Sequence, residues 1–304
     1  MTADPTGHRF LLRSAAGSAE IAQVGAALRA LRIGDVDLVP RYPDTIPTPA
    51  ASGVVLVPWP NRIRDARWTQ RDETYQLAVS EPKLGNASHG LLRFAPYRRT
   101  DTTPDRSDAV ELAAEVFPQT GYPFHLDTRV TYALSDAGLR VAHTITNVGA
   151  TPAPVAVGAH PYLQLSDVPT ADLRLEVDAE SWFRLDERSL PVALEPLDDA
   201  HDLRTPRRVG DLRLDTAYAG LRRGPDGRVR GLLHAPDGRR VELWAGAGFE
   251  YLQVFTTDRY PGNEVAVAIE PMTAPADAFN SGTALRWLEP AETWELEWGI
   301  ALHA

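Results

Sequence analysis

A single glutamate, Glu270, follows a short apolar run and precedes a proline in the segment AIEPMTAPADAFNSG. The run 266–269 carries no charge and predicts a buried strand. Because Pro271 cannot donate a hydrogen bond to a strand ladder, we expect the strand to end at Glu270 and a loop to follow. A carboxylate held at the rigid end of a strand, beside a loop that can form a pocket, is well placed to act as a general base.

Two histidines occur in segments whose backbone is restricted. His89 precedes Gly90 in NASHGLLRF, and glycine permits a sharp turn and the close approach of a ligand. His160 follows an apolar run at 154–157 and precedes Pro161, which limits the backbone of His160 to extended conformations. An imidazole in such a position can give or accept a proton near neutral pH. Alone, His89 is also consistent with a turn that has a solvated side chain, and His160 with a core histidine satisfied by a backbone carbonyl.

Four polar residues lie where they could bind hydroxyl groups. Asn61 and Arg62 follow a tryptophan in VPWPNRIRDARW, and an amide beside a guanidinium supplies several hydrogen-bond donors. Asp215 lies in LRLDTAYAGL, and Gln253 lies in the apolar strand pattern of FEYLQVFTTD. A polar side chain in the middle of such a strand faces either solvent or a polar pocket.

Taken together, these motifs resemble the aldose 1-epimerase (galactose mutarotase-like) family. PNRI, SHG, HPY, LD, YLQ and IEPMT occur in the order and approximate spacing of that family between Trp59 and Asn280. The set is more specific than any one of its members. The resemblance implies an antiparallel β-supersandwich and interconversion of the α and β anomers of a free sugar.

The resemblance also implies a role for each matching residue. Glu270 corresponds to the general base, His160 to the general acid, and His89 to a second histidine near the sugar ring. The residues expected to contact the sugar hydroxyls or line the pocket are Asn61, Arg62, Tyr162, Asp215 and Gln253.

The reaction explains why these residue types are needed. Ring opening removes the proton of the anomeric hydroxyl while the ring oxygen is protonated, so one base and one acid suffice. We expect a nearby anion to keep His160 protonated near neutral pH. No metal, nucleotide, other cofactor or covalent nucleophile is required. Hydroxyl contacts would confine the open-chain aldehyde until the ring closes again.

Strand patterns dominate the elements that must position these residues. Short apolar or alternating runs occur at 10–13, 26–33, 74–79, 109–116, 126–134, 139–147, 154–157, 172–177, 229–234, 240–245, 251–256 and 292–301. Asp-Gly pairs between several of them are typical of β-hairpins. No long amphipathic helix is evident, and 191–208 is predicted to be a long surface connection. The pattern predicts an all-β fold, a large antiparallel β-sandwich in which residues 1–304 form one domain.

Composition limits the classes of function. The chain has 304 residues and a formal net charge of −10, which disfavours binding to nucleic acid or to an anionic membrane. It contains no cysteine, so disulfides and Cys-ligated metals are excluded. There is no signal-peptide pattern and no apolar run of about 18 residues. We therefore expect a cytoplasmic monomer or homodimer whose partner is a small sugar.

Three other functions remain open. A hexose-6-phosphate epimerase of the same superfamily would need cations at the pocket rim, for which Arg64, Arg67 and Arg93 are candidates. A carbohydrate-binding protein without catalysis would need no acid and base. A metal enzyme could use the two histidines and the glutamate as ligands, although no close His-x-His spacing supports it. The net charge of −10 favours an unphosphorylated hexose.

Overall fold

The computed structural model describes residues 4–101 and 107–304, most of whose regular structure is β-strand. The first thirteen strands are β1 (Arg9–Ser14), β2 (Gly17–Ala22), β3 (Leu28–Ile33), β4 (Val36–Asp37), β5 (Val55–Leu56), β6 (Arg62–Ile63), β7 (Arg67–Gln70), β8 (Glu73–Gln76), β9 (Ala87–Ser88), β10 (Arg98–Arg99), β11 (Ala109–Val116), β12 (Leu126–Ser135) and β13 (Gly138–Asn147). The remaining strands are β14 (Ala153–Val155), β15 (Gly158–Ala159), β16 (Tyr162–Leu163), β17 (Arg174–Val177), β18 (Ser181–Leu185), β19 (Pro191–Pro196), β20 (Arg207–Arg208), β21 (Asp215–Ala219), β22 (Val229–His234), β23 (Arg240–Ala245), β24 (Tyr251–Thr257), β25 (Ala266–Met272), β26 (Arg286–Leu288) and β27 (Thr293–His303).

Helical structure is confined to short segments in the described part of the chain. These are α1 (Ala278–Ser281) and the 3₁₀ turns Pro49–Ala51, Arg64–Ala66, Thr170–Asp172 and Val209–Asp211. None of these helices is long and apolar enough to cross a lipid bilayer. The domain predicted over residues 1–304 includes 1–3 and 102–106, which lie outside the described residues.

Two large antiparallel sheets organise the molecule. One has nine strands in the order β10-β11-β12-β13-β27-β23-β22-β17-β20. The other has eight, in the order β19-β18-β21-β24-β25-β15-β5, with β16 also paired to β25. Strands β1 to β4 form a separate four-stranded sheet, and three two-stranded ladders complete the structure. This arrangement confirms the predicted all-β, antiparallel sandwich class.

The main hydrophobic core lies between the two large sheets. Val141 of β13 and Ile269 of β25 belong to the same buried cluster, although their strands are in different sheets. The sheets approach so closely at Gly231 that a Cβ atom there would lie 2.7 Å from Ile269 Cγ2. Glycine at this position therefore permits the close packing of β22 against β25.

Strand β25 is buried on both faces. Val267 and Ile269 belong to the main core, whereas Ala266 and Ala268 belong to a smaller cluster. Because successive side chains of a strand point to opposite faces, Glu270 lies on the same face as the two alanines. The glutamate therefore projects away from the core between the sheets.

The prediction that this strand ends at Glu270 is wrong, because β25 continues through Pro271 to Met272. The amide groups of Ile269 and Thr273 donate to carbonyl groups of the chain segment that carries β15 and β16. Pro271 lies between these two donors, opposite the interruption between β15 and β16. A missing N–H is tolerated at such an interruption, where no regular ladder bond is required.

Each run predicted to be a strand overlaps a strand of the structure. The prediction of a long surface connection at 191–208 is wrong in part, because the segment contains β19 and β20. Strand β19 is the outermost strand of the eight-stranded sheet and has a proline at each end. An edge strand tolerates these prolines because one side of it has no ladder partner.

Candidate active site

The outer face of the eight-stranded sheet carries four of the site residues. Gln253 lies directly opposite Glu270 in the pairing of β24 with β25, and Asp215 lies opposite Phe255 in the pairing of β21 with β24. Residues opposite each other in antiparallel strands share a face, as do residues two apart in one strand. Gln253 and Phe255 therefore bring Glu270 and Asp215 to one surface, while Leu252 and Val254 pack into the core.

His160 lies in the interruption between β15 and β16. Its backbone is fixed on both sides, because its amide donates to Val54 O at 3.2 Å and its carbonyl accepts from Gly53 N at 2.7 Å. Its Nε2 atom lies 3.2 Å from Glu270 Oε1. The two side chains are 6% and 2% exposed, so they form a buried acid–base pair. We call His160 and Glu270 the dyad.

Tyr162 lies behind His160 and not in the cavity lining. The two rings stack with centroids 5.3 Å apart, and Tyr162 is fully buried. Its hydroxyl donates to Ala50 O at 3.4 Å, and its ring packs against Tyr260. The expectation that Tyr162 lines the pocket is corrected accordingly, because the tyrosine is positioned to support the imidazole and not to contact a ligand.

His89 is held by a second pair of loops. Its backbone and that of Asn61 both have positive φ angles, 62° and 56°, and the His89 amide donates to Asn61 O at 2.7 Å. The adjacent Gly90 is required, since its φ is +73° and a Cβ atom would lie 2.1 Å from Val57 O. These contacts bring the His89 ring to 5.4 Å from that of His160.

Arg62 is held by the carboxylate of Glu81, which no sequence motif indicated. Its Nε and Nη2 donate to the two oxygens of Glu81 at 2.9 and 3.1 Å, a bidentate pair. Its Nη1 lies 3.3 Å from Asn61 Oδ1 and 3.5 Å from Asp215 Oδ2. Gln253 donates to the other oxygen of Asp215 at 2.6 Å. Donors and acceptors are thus arranged in a fixed network along one wall of the site.

These groups line one cavity of about 270 Å³. Its lining is Ala50, Ala51, Asn61, Arg62, Ser80, Glu81, Ser88, His89, Arg93, His160, Asp215, Gln253, Phe255 and Glu270. All three predicted catalytic residues and four of the five predicted sugar contacts are among them. A larger cavity of about 500 Å³ lies alongside and shares Ala50 and Phe255, but none of the dyad lines it.

The three arginines considered for phosphate binding separate in the structure. Only Arg93 lines the cavity. Arg64 is paired with Asp186 at 3.3 Å and with Asp277 at 3.7 Å, and Arg67 is exposed outside the lining.

Burial dominates the electrostatics of the dyad. It raises the pKa of Glu270 well above its ordinary value, and the charge of Asp215 raises it further while Arg62 opposes the shift. Burial also lowers the pKa of His160 to about 3; a backbone hydrogen bond opposes this change, whereas Arg93 and Arg62 add to it. The prediction that a nearby anion keeps His160 protonated near neutral pH is therefore wrong in this structure, because burial disfavours the charged forms of both His160 and Glu270.

The pKa of His89 is also lowered well below its usual value, first by burial and then by the neighbouring His160 and arginines. Three polar atoms at the site are buried without a hydrogen-bond partner among the described residues: Nδ1 of His89, Nδ1 of His160 and Oε2 of Glu270. Such atoms cost about 1–3 kcal/mol each. Their concentration in one cavity favours a site prepared for a polar ligand.

A metal centre finds little support in the part of the chain that the structure describes. No group of three or more His, Asp or Glu side chains there could hold a metal ion. The dyad histidine faces a carboxylate, an arrangement suited to sharing a proton.

Comparison with known proteins agrees with the fold. Residues 8–301 match the family described as aldose 1-epimerase. The protein YihR of Escherichia coli K12, described as uncharacterized, is 30% identical over 285 residues, which are 93% of this chain and 89% of that protein. The chain therefore belongs to the aldose 1-epimerase family.

Solved structures show the same architecture at low sequence identity. A galactose mutarotase-like protein from Clostridium acetobutylicum superposes with a TM-score of 0.84 at 17% identity, covering 96% of this chain and 94% of that one. The GalM/aldose epimerase homologue from C. elegans gives a TM-score of 0.83 at 18% identity, with coverage of 97% and 98%. At these identities the likeness concerns the fold.

Proposed function

We propose that the protein interconverts the α and β anomers of an unphosphorylated hexose by acid–base ring opening. The observation that carries this proposal is the dyad, in which His160 Nε2 and Glu270 Oε1 lie 3.2 Å apart at the wall of a cavity of about 270 Å³. A pure binding protein needs no buried acid and base facing each other, whereas anomer exchange needs both.

The proposed step conserves protons. The Glu270 carboxylate accepts the proton of the anomeric hydroxyl, the His160 imidazolium gives a proton to the ring oxygen, and the bond between C1 and the ring oxygen breaks. The aldehyde rotates about C1–C2. On closure, the new ring oxygen returns its proton to His160, and Glu270 returns one to the anomeric oxygen.

One shared proton is sufficient for the dyad to begin this cycle. Burial favours the neutral pair, a protonated Glu270 beside a neutral His160, over the carboxylate–imidazolium pair. A sugar hydroxyl that donates to Glu270 Oε2, which is otherwise unpartnered, would stabilise the carboxylate and shift the proton to His160. Substrate binding would thus produce the reactive form of the pair.

The remaining lining residues would hold the sugar while it turns. Asn61 and Arg62 offer donors, and Asp215 accepts, so a hydroxyl of the wrong configuration would leave a buried group unpaired at about 1–3 kcal/mol. Phe255 presents an aromatic surface that suits the C–H face of a sugar. His89, the second histidine, would contact the ring or its hydroxyls.

Polarimetry tests the proposal directly. Freshly dissolved α-glucose and α-galactose are followed with native and heat-denatured protein, in buffers that slow spontaneous mutarotation. We expect the native protein to accelerate the approach to equilibrium, with the same rate after dialysis against EDTA. No acceleration for any aldose would overturn the proposal, and loss on chelation that one divalent metal restores would favour a metal enzyme instead.

A further inference from the structure

Arg93 is a cation of the cavity without an anionic partner in the part of the chain that the structure describes. It forms no hydrogen bond or ion pair with any described residue, and its recorded ring contact, 4.5 Å to the ring centroid, is with the adjacent Phe94. Arg62, the other arginine of the lining, is held on two of its nitrogens by Glu81. Among the described residues of the lining, Arg93 is therefore the guanidinium left available to a ligand.

Burial makes this arrangement costly without a ligand. Arg93 is half-buried, and loss of hydration lowers its pKa while the charge of Glu81 opposes the shift. A partly desolvated guanidinium without a partner gives up hydration and gains no hydrogen bond in return. Its planar donors match the oxygens of a carboxylate, sulfonate or phosphate.

The location of Arg93 indicates which part of a sugar it would meet. Arg93 follows His89 by four residues in the same loop, and both side chains line the cavity, so Arg93 lies on the histidine side of it. In the proposed function, His160 faces the ring oxygen. The carbon bonded to that oxygen on the side away from the anomeric centre is C5, which carries C6. A group on C6 would therefore extend toward Arg93.

We infer that the preferred substrate is a hexose with a singly charged anionic group on C6, held by Arg93. This inference rests on the proposed function and specifies its substrate class. One negative charge is favoured over two because Glu81 and Asp215 also face the cavity and would repel a dianion. A carboxylate and a sulfonate share the required chemistry, and a phosphate dianion does not.

The experiment compares four sugars by NMR magnetisation exchange between anomers at equilibrium: glucose, glucuronate, 6-deoxy-6-sulfoglucose and glucose 6-phosphate. We expect kcat/KM for at least one monoanion to exceed that for glucose by about tenfold or more, and the advantage to shrink as salt is added. The two monoanions separately reveal whether the site takes the planar or the tetrahedral group. Equal values for glucose and both monoanions, or preference for the phosphate, would overturn the inference.

Variants of two arginines give the decisive comparison. Arg93→Gln should lower the ratio of kcat/KM for the monoanion to that for glucose by about tenfold or more, and Arg93→Lys should retain part of it. Arg64→Gln is the matched control, since Arg64 lies outside the lining in ion pairs with Asp186 and Asp277. An unchanged ratio in Arg93→Gln, or an equal fall in Arg64→Gln, would contradict the inference.

A binding measurement separates this inference from the proposed function. Calorimetry of glucuronate and 6-deoxy-6-sulfoglucose with Glu270→Gln protein, with and without Arg93→Gln, requires no turnover. Weaker binding of the preferred monoanion on removal of Arg93 supports the inference even if no sugar is converted. Conversion of glucose with no effect of Arg93 on either measurement would leave the proposed function intact and reject the anionic substrate.

Discussion

The two large sheets each contribute a buried histidine, and the comparison separates a structural histidine from a chemical one. His143 of β13, in the nine-stranded sheet, accepts a hydrogen bond at Nε2 from Trp298 Nε1 at 2.9 Å. His160, beside the eight-stranded sheet, has Nδ1 unpartnered and Nε2 facing Glu270. Burial lowers the pKa of both, to about 4 and about 3 respectively. A lowered pKa therefore does not distinguish them.

What distinguishes the two histidines is the balance of hydrogen bonds around each. His143 accepts a hydrogen bond from the neutral indole of Trp298, which requires a neutral imidazole. Its ring therefore has a packing role. His160 meets a buried carboxylate with an unpartnered oxygen. A native core leaves few buried polar groups unsatisfied, and those that remain are frequently functional. The unpartnered polar atoms of His160 and Glu270 therefore lower the stability of the protein at the outer face of the eight-stranded sheet. The buried histidine of the nine-stranded sheet carries no such cost at Nε2.

The largest effect is expected for Glu270→Gln. Gln retains the shape of the side chain but cannot accept the anomeric proton, so we expect turnover to fall by about 10²–10⁴-fold. Sugar binding, measured by calorimetry, should survive. The exposed Glu295 of β27 supplies a control, because Glu295→Gln makes the same chemical change on the other sheet. Rates near wild type for Glu270→Gln would remove this residue as the base.

Two histidine variants are expected to have opposite effects. His160→Asn should reduce kcat strongly, because it removes the proton donor. His143→Asn should leave kcat close to wild type and lower the free energy of unfolding by about 1–3 kcal/mol, because the buried Trp298 N–H loses its partner. Urea unfolding and anomer exchange are measured on both proteins. If both variants lost activity to the same degree, the proposed distinction between the two sheets would fail.

A smaller loss of turnover is expected for His89→Asn. His89 lies 5.4 Å from His160 between ring centroids and forms no hydrogen bond or ion pair with Glu270, so it is assigned a supporting role. At saturating sugar we expect kcat to fall less than in His160→Asn. The reverse order of effects would exchange the two roles and make His89 the proton donor.

Much of the candidate site could be predicted from sequence, and the parts that could not be predicted have physical reasons. Motifs identified Glu270, Gln253 and Asp215 individually, but the pairing of β24 with β25 that puts the first two side by side is non-local. Phe255 could have been found, since it lies two residues after Gln253 on the same strand face. Glu81 could not, because a glutamate in a polar turn looks solvated until Arg62 is seen to bind it.

The burial of the dyad also could not be predicted from the sequence. An anion near His160 was predicted to hold its proton, and the carboxyl group of Glu270 does lie 3.2 Å away. The competing cost of desolvation depends on how completely the surrounding loops cover the pair, and no local pattern reports that coverage. Pro271 illustrates the same limit, because its effect on β25 depends on the interruption in the neighbouring strands.

The smallest expected effect, on stability, tests whether the site is held at an energetic cost. The pKa of Glu270 is raised on folding, so its stabilising contribution is complete below its unfolded value near 4.5 and is lost as pH rises through the folded value. Gln remains uncharged at every pH. The free energy of unfolding of Glu270→Gln should therefore be close to that of wild type near pH 4. It should exceed the wild-type value by an increasing amount as pH rises toward 8. His160 acts in the opposite sense, since a pKa lowered to about 3 means that its contribution is present above pH 6.5 and is lost as pH falls. The change between pH 6.5 and 8 is therefore assigned to Glu270. Urea unfolding at several pH values measures this difference, with Glu295→Gln as the exposed control. A difference that stayed constant with pH would show that Glu270 is as readily ionised in the folded protein as in the unfolded chain, and the dyad would then already carry its charges before any sugar arrives.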